Sequence, residues 1–138
     1  MIIDIEVKMK IIVAGGRDFS NREVLNKVLT THINPEEDIV VSGDAKGADM
    51  LGAEWAAAHS VPIQHFPAYW DKYGKGAGYI RNTEMGKYAD AAICFWDGQS
   101  KGTHHMIVTM AKQNKPVIVY DYNGNITELH HWTLKYFI

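Results

Sequence analysis

The chain has 138 residues, 46% hydrophobic and 22% charged, which suits one globular domain and excludes disorder over most of its length. Its 14 Lys and Arg against 16 Asp and Glu give a net charge of −2, so the basic footprint of a duplex-DNA binder is absent and duplex DNA is not an expected partner. Cys94 is the single cysteine, which excludes an internal disulfide and a zinc site built on two or more cysteines.

Residues 1–9 read as an N-terminal extension, because Met9 would make a natural start. Ile3, Ile5 and Val7 alternate within it, so it also suits an added edge strand. Residues 10–138 form the expected domain. Ile11–Ala14 is short, β-branched and stopped by Gly15-Gly16, the pattern of a buried strand. Ser20–Glu23 has capping-box spacing, with Ser20 accepting from the backbone and Glu23 reaching back. Val24, Leu25, Val28 and Leu29 then form the apolar face of a helix. Ile39–Val41 is the second strand, and a helix follows from about Gly47 to His59. Pro62–Phe66 holds the third strand. Pro67–Gly78 reads as a long irregular loop, and Ala77–Tyr88 as a helix. Ala91–Phe95 is the fourth strand, Thr103–Asn114 a helix with Ile107, Met110 and Ala111 inward, and Pro116–Tyr120 the fifth strand. Asn123-Gly124 signals a tight turn. The aromatic tail to Ile138 has no clear assignment. Its Trp132, Leu134, Tyr136, Phe137 and Ile138 suit either packing on the sheet or self-association, and the second reading, slightly favoured, predicts a homo-oligomer. No apolar run approaches the ~18 residues of a membrane span and no signal-peptide pattern opens the chain, so the expected location is cytoplasmic, with no membrane partner.

Strands alternating with helices predict an α/β fold: one Rossmann-like, three-layer domain on a mainly parallel sheet of about five strands. Ligands of such sheets bind beyond the carboxyl ends of the strands, where strand order reverses. Small and polar residues do gather after the strands. Nine of the twelve glycines (15, 16, 43, 47, 74, 76, 78, 98 and 102) lie in the four segments that follow strands one to four. Each segment leads into a helix N-terminus, whose free N–H groups and dipole favour an anion. A phosphate-bearing ligand fits this pattern, though the glycines also suit a plainer role as turns and helix starts.

The expected ligand-binding set is Gly15, Gly16, Arg17, Ser42, Gly43, Lys46, Gly47, Arg81, Asn82, Trp96, Asp97, Gly98, Ser100, Gly102 and Thr103. Phosphate would rest on the N–H groups near Gly43–Gly47 and Gly98–Thr103. Among the rim cations Arg17, Lys46, Lys75, Arg81 and Lys101, Arg81 is the choice for bidentate phosphate contact. Asp18, Asp44, Asp49 and Asp97 share the rim and could meet ribose hydroxyls or a hydrated magnesium ion, with a structural role favoured for Asp18 and Asp49. No cofactor is otherwise evident. Tyr69, Trp70, Tyr73 or Trp96 could stack on a base, and burial as loop anchors fits them equally. The adjacent pairs His104-His105 and His130-His131 do not face one another on a helix, and no metal site is expected. G-x-G-x-x-G, the P-loop and G-x-S-x-G are all absent.

Five motifs occur in order: Gly15-Gly16-Arg17-Asp18-Phe19, Ser42-Gly43-x-Ala45-x-Gly47-Ala48-Asp49, Phe66-Pro67-Ala68-x-Trp70, Ala77-Gly78-x-x-Arg81-Asn82-x-x-Met85 and Phe95-Trp96-Asp97-Gly98-x-Ser100-x-Gly102-Thr103. From Lys10 to Tyr122 the chain resembles the YspA-type, YpsA-related branch of the SLOG superfamily. The resemblance implies a Rossmann-like sheet and a site for nucleotides or nucleotide-derived ligands, sensed or processed. Lonely-guy phosphoribohydrolases are more distantly similar, through Arg-x-x-x-Met at Arg81–Met85 and Pro-Gly-Gly-x-Gly-Thr-x-x-Glu at Gly98–Met106. That likeness implies cleavage of a nucleoside monophosphate to free base and ribose 5-phosphate. Met106 stands where their catalytic glutamate stands, and a thioether can neither activate water nor stabilise an oxocarbenium ion. Arg81, Glu84 and Asp97 remain the catalytic candidates of this alternative. The DNA-processing relatives of the superfamily imply a third reading, single-stranded nucleic-acid binding.

Overall fold

In the computed structural model, which describes residues 8–132, strand β1 (Met9–Gly15) explains the architecture. Its side chains are buried on both faces. Ile11 and Val13 enter one core, and Ile12 and Ala14 enter another. A strand that reads as a continuous apolar run needs cover on both sides. Helices α1 (Arg22–His32) and α2 (Ala48–Ala58) cover the first face with Leu25, Leu29, Leu51 and Trp55. Helices α4 (Ala77–Tyr88) and α5 (Lys101–Lys112) cover the second with Met85, Met106, Ile107 and Met110. The remaining strands are β2 (Asp38–Ser42), β3 (Ile63–His65), β4 (Ala91–Phe95), β5 (Val117–Tyr120) and β6 (Ile126–His130). Their order is β3-β2-β1-β4-β5-β6. The first five are parallel and β6 is antiparallel to β5. The order reverses between β1 and β4, where Gly15 is in register with Phe95.

The five expected strands are present, and β6 is a sixth. It is a half-exposed edge strand, with Ile126 and Leu129 each 49% exposed, so its sequence lacks the apolar run that marks its neighbours. Asn123-Gly124 forms the β5–β6 turn: Gly124 has φ +88°, and Asp121 Oδ1 accepts from Asn123 N at 2.9 Å and Asn125 N at 3.0 Å. Three local readings change. The N-cap of α1 is Asn21, not Ser20: Asn21 Oδ1 accepts from Val24 N at 3.2 Å, and its Nδ2 donates to Tyr122 O at 3.1 Å. The stretch read as an irregular loop contains α3 (Trp70–Tyr73) and a 3-10 turn at Gly74–Gly76 that runs straight into α4. Helix α5 begins at Lys101, two residues before Thr103, and Ala111 is only partly buried.

Met9, placed in the extension by its sequence, is the first residue of β1 and pairs with Asp38. Ile3, Ile5 and Val7 lie outside the described residues, as do Leu134, Tyr136, Phe137 and Ile138 of the tail. Trp132 packs against the α1–α2 core. Among the described residues, no helix is long and apolar enough to cross a membrane.

Candidate ligand-binding site

The chain turns sharply where β1 ends. Gly16 N donates to Phe95 O at 3.1 Å, which carries the loop across the end of β4. A Cβ on Gly15 would sit 2.5 Å from Phe95 O and 2.7 Å from the Ala48 Cβ, so only glycine fits. Gly16 O accepts from Phe19 N at 3.2 Å and from Ala48 N at 3.3 Å. Gly47, at φ +83°, bends the chain so that α2 can start against this carbonyl. The first amide of α2 is therefore taken by the neighbouring loop.

Above these turns lies a cavity of about 420 Å³. Of the expected binding residues, Gly15, Gly16, Arg17, Arg81, Asn82, Ser100, Gly102 and Thr103 line it. Ser42, Gly43, Lys46 and Gly47 do not, although the Gly43 carbonyl accepts from the lining Arg81. Trp96 and Gly98 line a second, more open cavity of about 560 Å³ with Lys101, His104 and His105, and Tyr79 is common to both. Asp97 lines neither, and Glu84 is exposed on α4 away from both.

The first turn of α5 is the helix end that opens on the cavity. Asp97 shapes it: its Oδ1 accepts from Gln99 N and Ser100 N, both at 2.8 Å. These donors hold the Asp97 carboxyl below the usual carboxylate range. Trp96 Nε1 donates to Ser100 O at 3.0 Å, and the Ser100 and Thr103 hydroxyls lie 3.2 Å apart. A Cβ on Gly102 would meet nothing within 4 Å. The first N–H groups of a helix lack intrahelical acceptors, so this turn presents donors and the positive end of a dipole to an open space.

Arg81 is partly buried on α4, and its Nη1 donates to Gly43 O while Nε donates to Asn82 Oδ1 at 3.1 Å. Asn82 is 7% exposed and ties α4 to α5, donating to Gly102 O at 3.1 Å and reaching His105 Nδ1 at 3.3 Å. Burial lowers the Arg81 pKa and Asp49 opposes that shift. Asp49, on the first turn of α2, is 5% exposed and lines the same cavity. Burial pushes its carboxyl up to about 7, against the pull of Arg81. A Cβ on Gly43 would lie 2.7 Å from Arg81 Nη1 and 2.9 Å from Asp49 Oδ2, so the two groups converge there.

The rim carboxylates differ in where they lie and what they bond. Asp18 and Asp49, given structural roles, line the cavity, and Asp18 also accepts from Tyr122 Oη at 2.6 Å. Asp44 instead lies 2.7 Å from His65 Nδ1. Among the described residues no group of three or more His, Cys, Asp or Glu is placed to hold a metal ion. Tyr69, Trp70 and Tyr73 are exposed rather than buried anchors, and the Arg17 guanidinium lies 5.9 Å from the Trp70 ring at the cavity edge. Buried Met106 lies on the cavity wall. Two lining residues, Tyr79 and Asp49, lie outside the binding set expected from the sequence, since an aspartate in a first helical turn normally serves the helix.

The chain is similar to known proteins in sequence and in fold. The profile of the YspA, cpYpsA-related SLOG family matches residues 9–73. Gene 61 protein of Mycobacterium phage D29 is 32% identical over 117 residues, covering 79% of this chain and 94% of that protein. Among solved structures, the chain is similar to DNA processing protein A from Streptococcus pneumoniae, with a TM-score of 0.70 and 17% identity over 82% of this chain and 50% of that one. It is also similar to DNA processing protein A from Helicobacter pylori, described for its single-stranded DNA binding mode, with a TM-score of 0.61 and 19% identity over 81% of this chain and 65% of that one. Both likenesses are of fold, and the chain spans only half the length of the first structure and 65% of the second.

Proposed function

This chain belongs to the YspA, cpYpsA-related SLOG family, and from that premise we propose that the cavity over the ends of β1 and β4 binds a nucleotide or nucleotide-derived molecule through its phosphate. The observation that carries this reading is the open first turn of α5 at Gly102 and Thr103, facing a cavity that Arg17, Lys75 and Arg81 also line. Three cations and a helix dipole outweigh the two lining carboxylates, Asp18 and Asp49. Phosphate belongs at α5 rather than at Gly43–Gly47, because Ala48 N is bonded to Gly16 O. Exposed Trp70 and Tyr79 offer ring faces for a base.

The test is thermal shift against mononucleotides, ADP-ribose, NAD and cyclic nucleotides, using the protein and its Gly102→Glu variant. A ligand at 100 times its Kd stabilises by about 2.7 kcal/mol, or roughly 5–10 °C here. The new carboxylate would enter open space, and an acidic residue in a first turn favours the helix. The variant should therefore keep the unliganded Tm and lose the ligand shift. A ligand shift of equal size in the variant would remove α5 as the phosphate site.

A second reading rests on exposed Tyr69, Trp70, Tyr73 and Tyr79 beside Lys72 and Lys75, a surface on which bases of a single strand could stack. It predicts affinity that grows with oligonucleotide length and falls steeply with salt. A mononucleotide that binds as tightly as an oligomer would exclude it.

A further inference from the structure

Asp49 is the most buried carboxylate among the described residues, ahead of Asp38. It is 5% exposed yet lines the ligand cavity, and among the described residues it has no salt bridge to offset its burial. Ala45 N donates to its Oδ2 over a long 3.4 Å, and Gly15 N–H also points to the carboxyl. We propose that Asp49 is the proton-carrying contact of this cavity, taking up a proton as an anionic group enters and donating a hydrogen bond to that group.

The inference rests on the reading of the cavity as an anion site and adds how the site tolerates its own buried acid. An ionised carboxylate beside a bound phosphate would repel it, whereas a protonated carboxyl repels nothing and gains a donor. Burial is what favours this exchange, against Arg81 and the Ala45 and Gly15 N–H groups. Arg81 of α4 opposes protonation, but its Nη1 and Nε are bonded to Gly43 O and Asn82 Oδ1. Asp44, in the loop before α2, favours protonation. Cys94 of β4, near enough to feel the Asp49 charge, is fully buried and stays a neutral thiol, its pKa pushed well up by burial. From the β1–α1 loop, Arg17 and Asp18 reach the cavity with opposite charges, Lys75 adds a cation from the 3-10 turn, and α5 with its cap Ser100 contributes only uncharged Gly102, Thr103 and Met106 to the wall. The free carboxyl already titrates near 7, so a modest added field decides its state. A charge inside a cavity of about 420 Å³ lies within roughly 10 Å of its walls, close enough to raise a midpoint by about one pH unit.

The experiment is a carbon-detected NMR titration of the aspartate carboxyl signals in the full chain, from about pH 4 to about pH 9, with and without sulfate. Sulfate keeps its charge across that range and so probes the anion site without titrating itself. Asp49→Asn identifies the signal by its disappearance. The expected result is an Asp49 midpoint near 7, raised by about one unit by saturating sulfate. A midpoint below about 5, or one that sulfate leaves unchanged while the Gly102 and Thr103 amide signals move, overturns the proton-carrying role alone. If sulfate moves neither those amides nor the midpoint, the anion-site reading falls, and this inference falls with it.

Discussion

At the residue scale, the pair that converges on Gly43 gives the protein a pH response of its own. Burial costs the charged form of Asp49 more than Arg81 returns, so the folded state holds this proton more tightly than the unfolded chain does. An unfolded aspartate titrates near 3.9, and the folded one near 7. The stability this group contributes is complete below about pH 4, declines as the pH rises, and is lost above about pH 7. The slope is about 1.4 kcal/mol per pH unit, with a ceiling of about 4 kcal/mol over the window. Asp49→Asn removes the titration and keeps the shape. The Tm of the native chain should therefore fall relative to that of the variant between about pH 5 and about pH 7, as read by calorimetry at matched ionic strength. Parallel Tm curves would show that Asp49 is ionised throughout. None of this is legible in Ser42–Asp49 as a string. The motif shows an aspartate in a first helical turn, and only the approach of α4, which brings Arg81 against Gly43, shows that the carboxyl is buried in a cavity.

At the element scale, the strand–helix alternation was readable because each buried strand carries its own signal. Ala91–Phe95 is apolar at every position and matches β4 to the residue. The places that misled are those where two local signals compete. Ser20 and Asn21 are both good caps, and the capping-box spacing favours Ser20. Asn21 wins because its amide serves two partners: Oδ1 caps Val24 N while Nδ2 holds Tyr122 O, a residue far along the chain. Asn21→Ala should cost about 1 kcal/mol for the cap and more for the lost tie to Tyr122, whereas Ser20→Ala should be nearly neutral. Urea unfolding of both variants checks this. A larger loss from Ser20→Ala would restore the capping-box reading. The same competition hid α3, where exposed aromatics and Gly74 read as a loop although Trp70–Tyr73 forms one helical turn.

At the scale of the whole molecule, the cavity is a joint between layers. Asp49 comes from α2 on one face of the sheet, and Arg81, Asn82, Gly102 and Thr103 come from α4 and α5 on the other. They meet only at the rim, above Gly15 and Gly16, because the strand order reverses between β1 and β4. That much follows from topology, and the alternation of strands and helices was enough to place the rim. The pairing of layers was not readable, because no residue within one motif records which face the next helix will cover. A ligand held at this joint must restrain both layers at once. Hydrogen exchange with and without a saturating nucleotide should then show slowing in two separate segments, the first turn of α5 and the start of α2, where Ala48 N is bonded to Gly16 O. Exchange there proceeds through local opening, and a ligand at 100 times its Kd that binds only the closed form slows it by up to about 100-fold. The far ends of the same helices, His59 and Lys112, should be little changed, since they lie at the opposite rim. Protection confined to α4 and α5 would place the ligand on one layer only, in the more open cavity beside Trp96 and His104, and would detach Asp49 from the binding event.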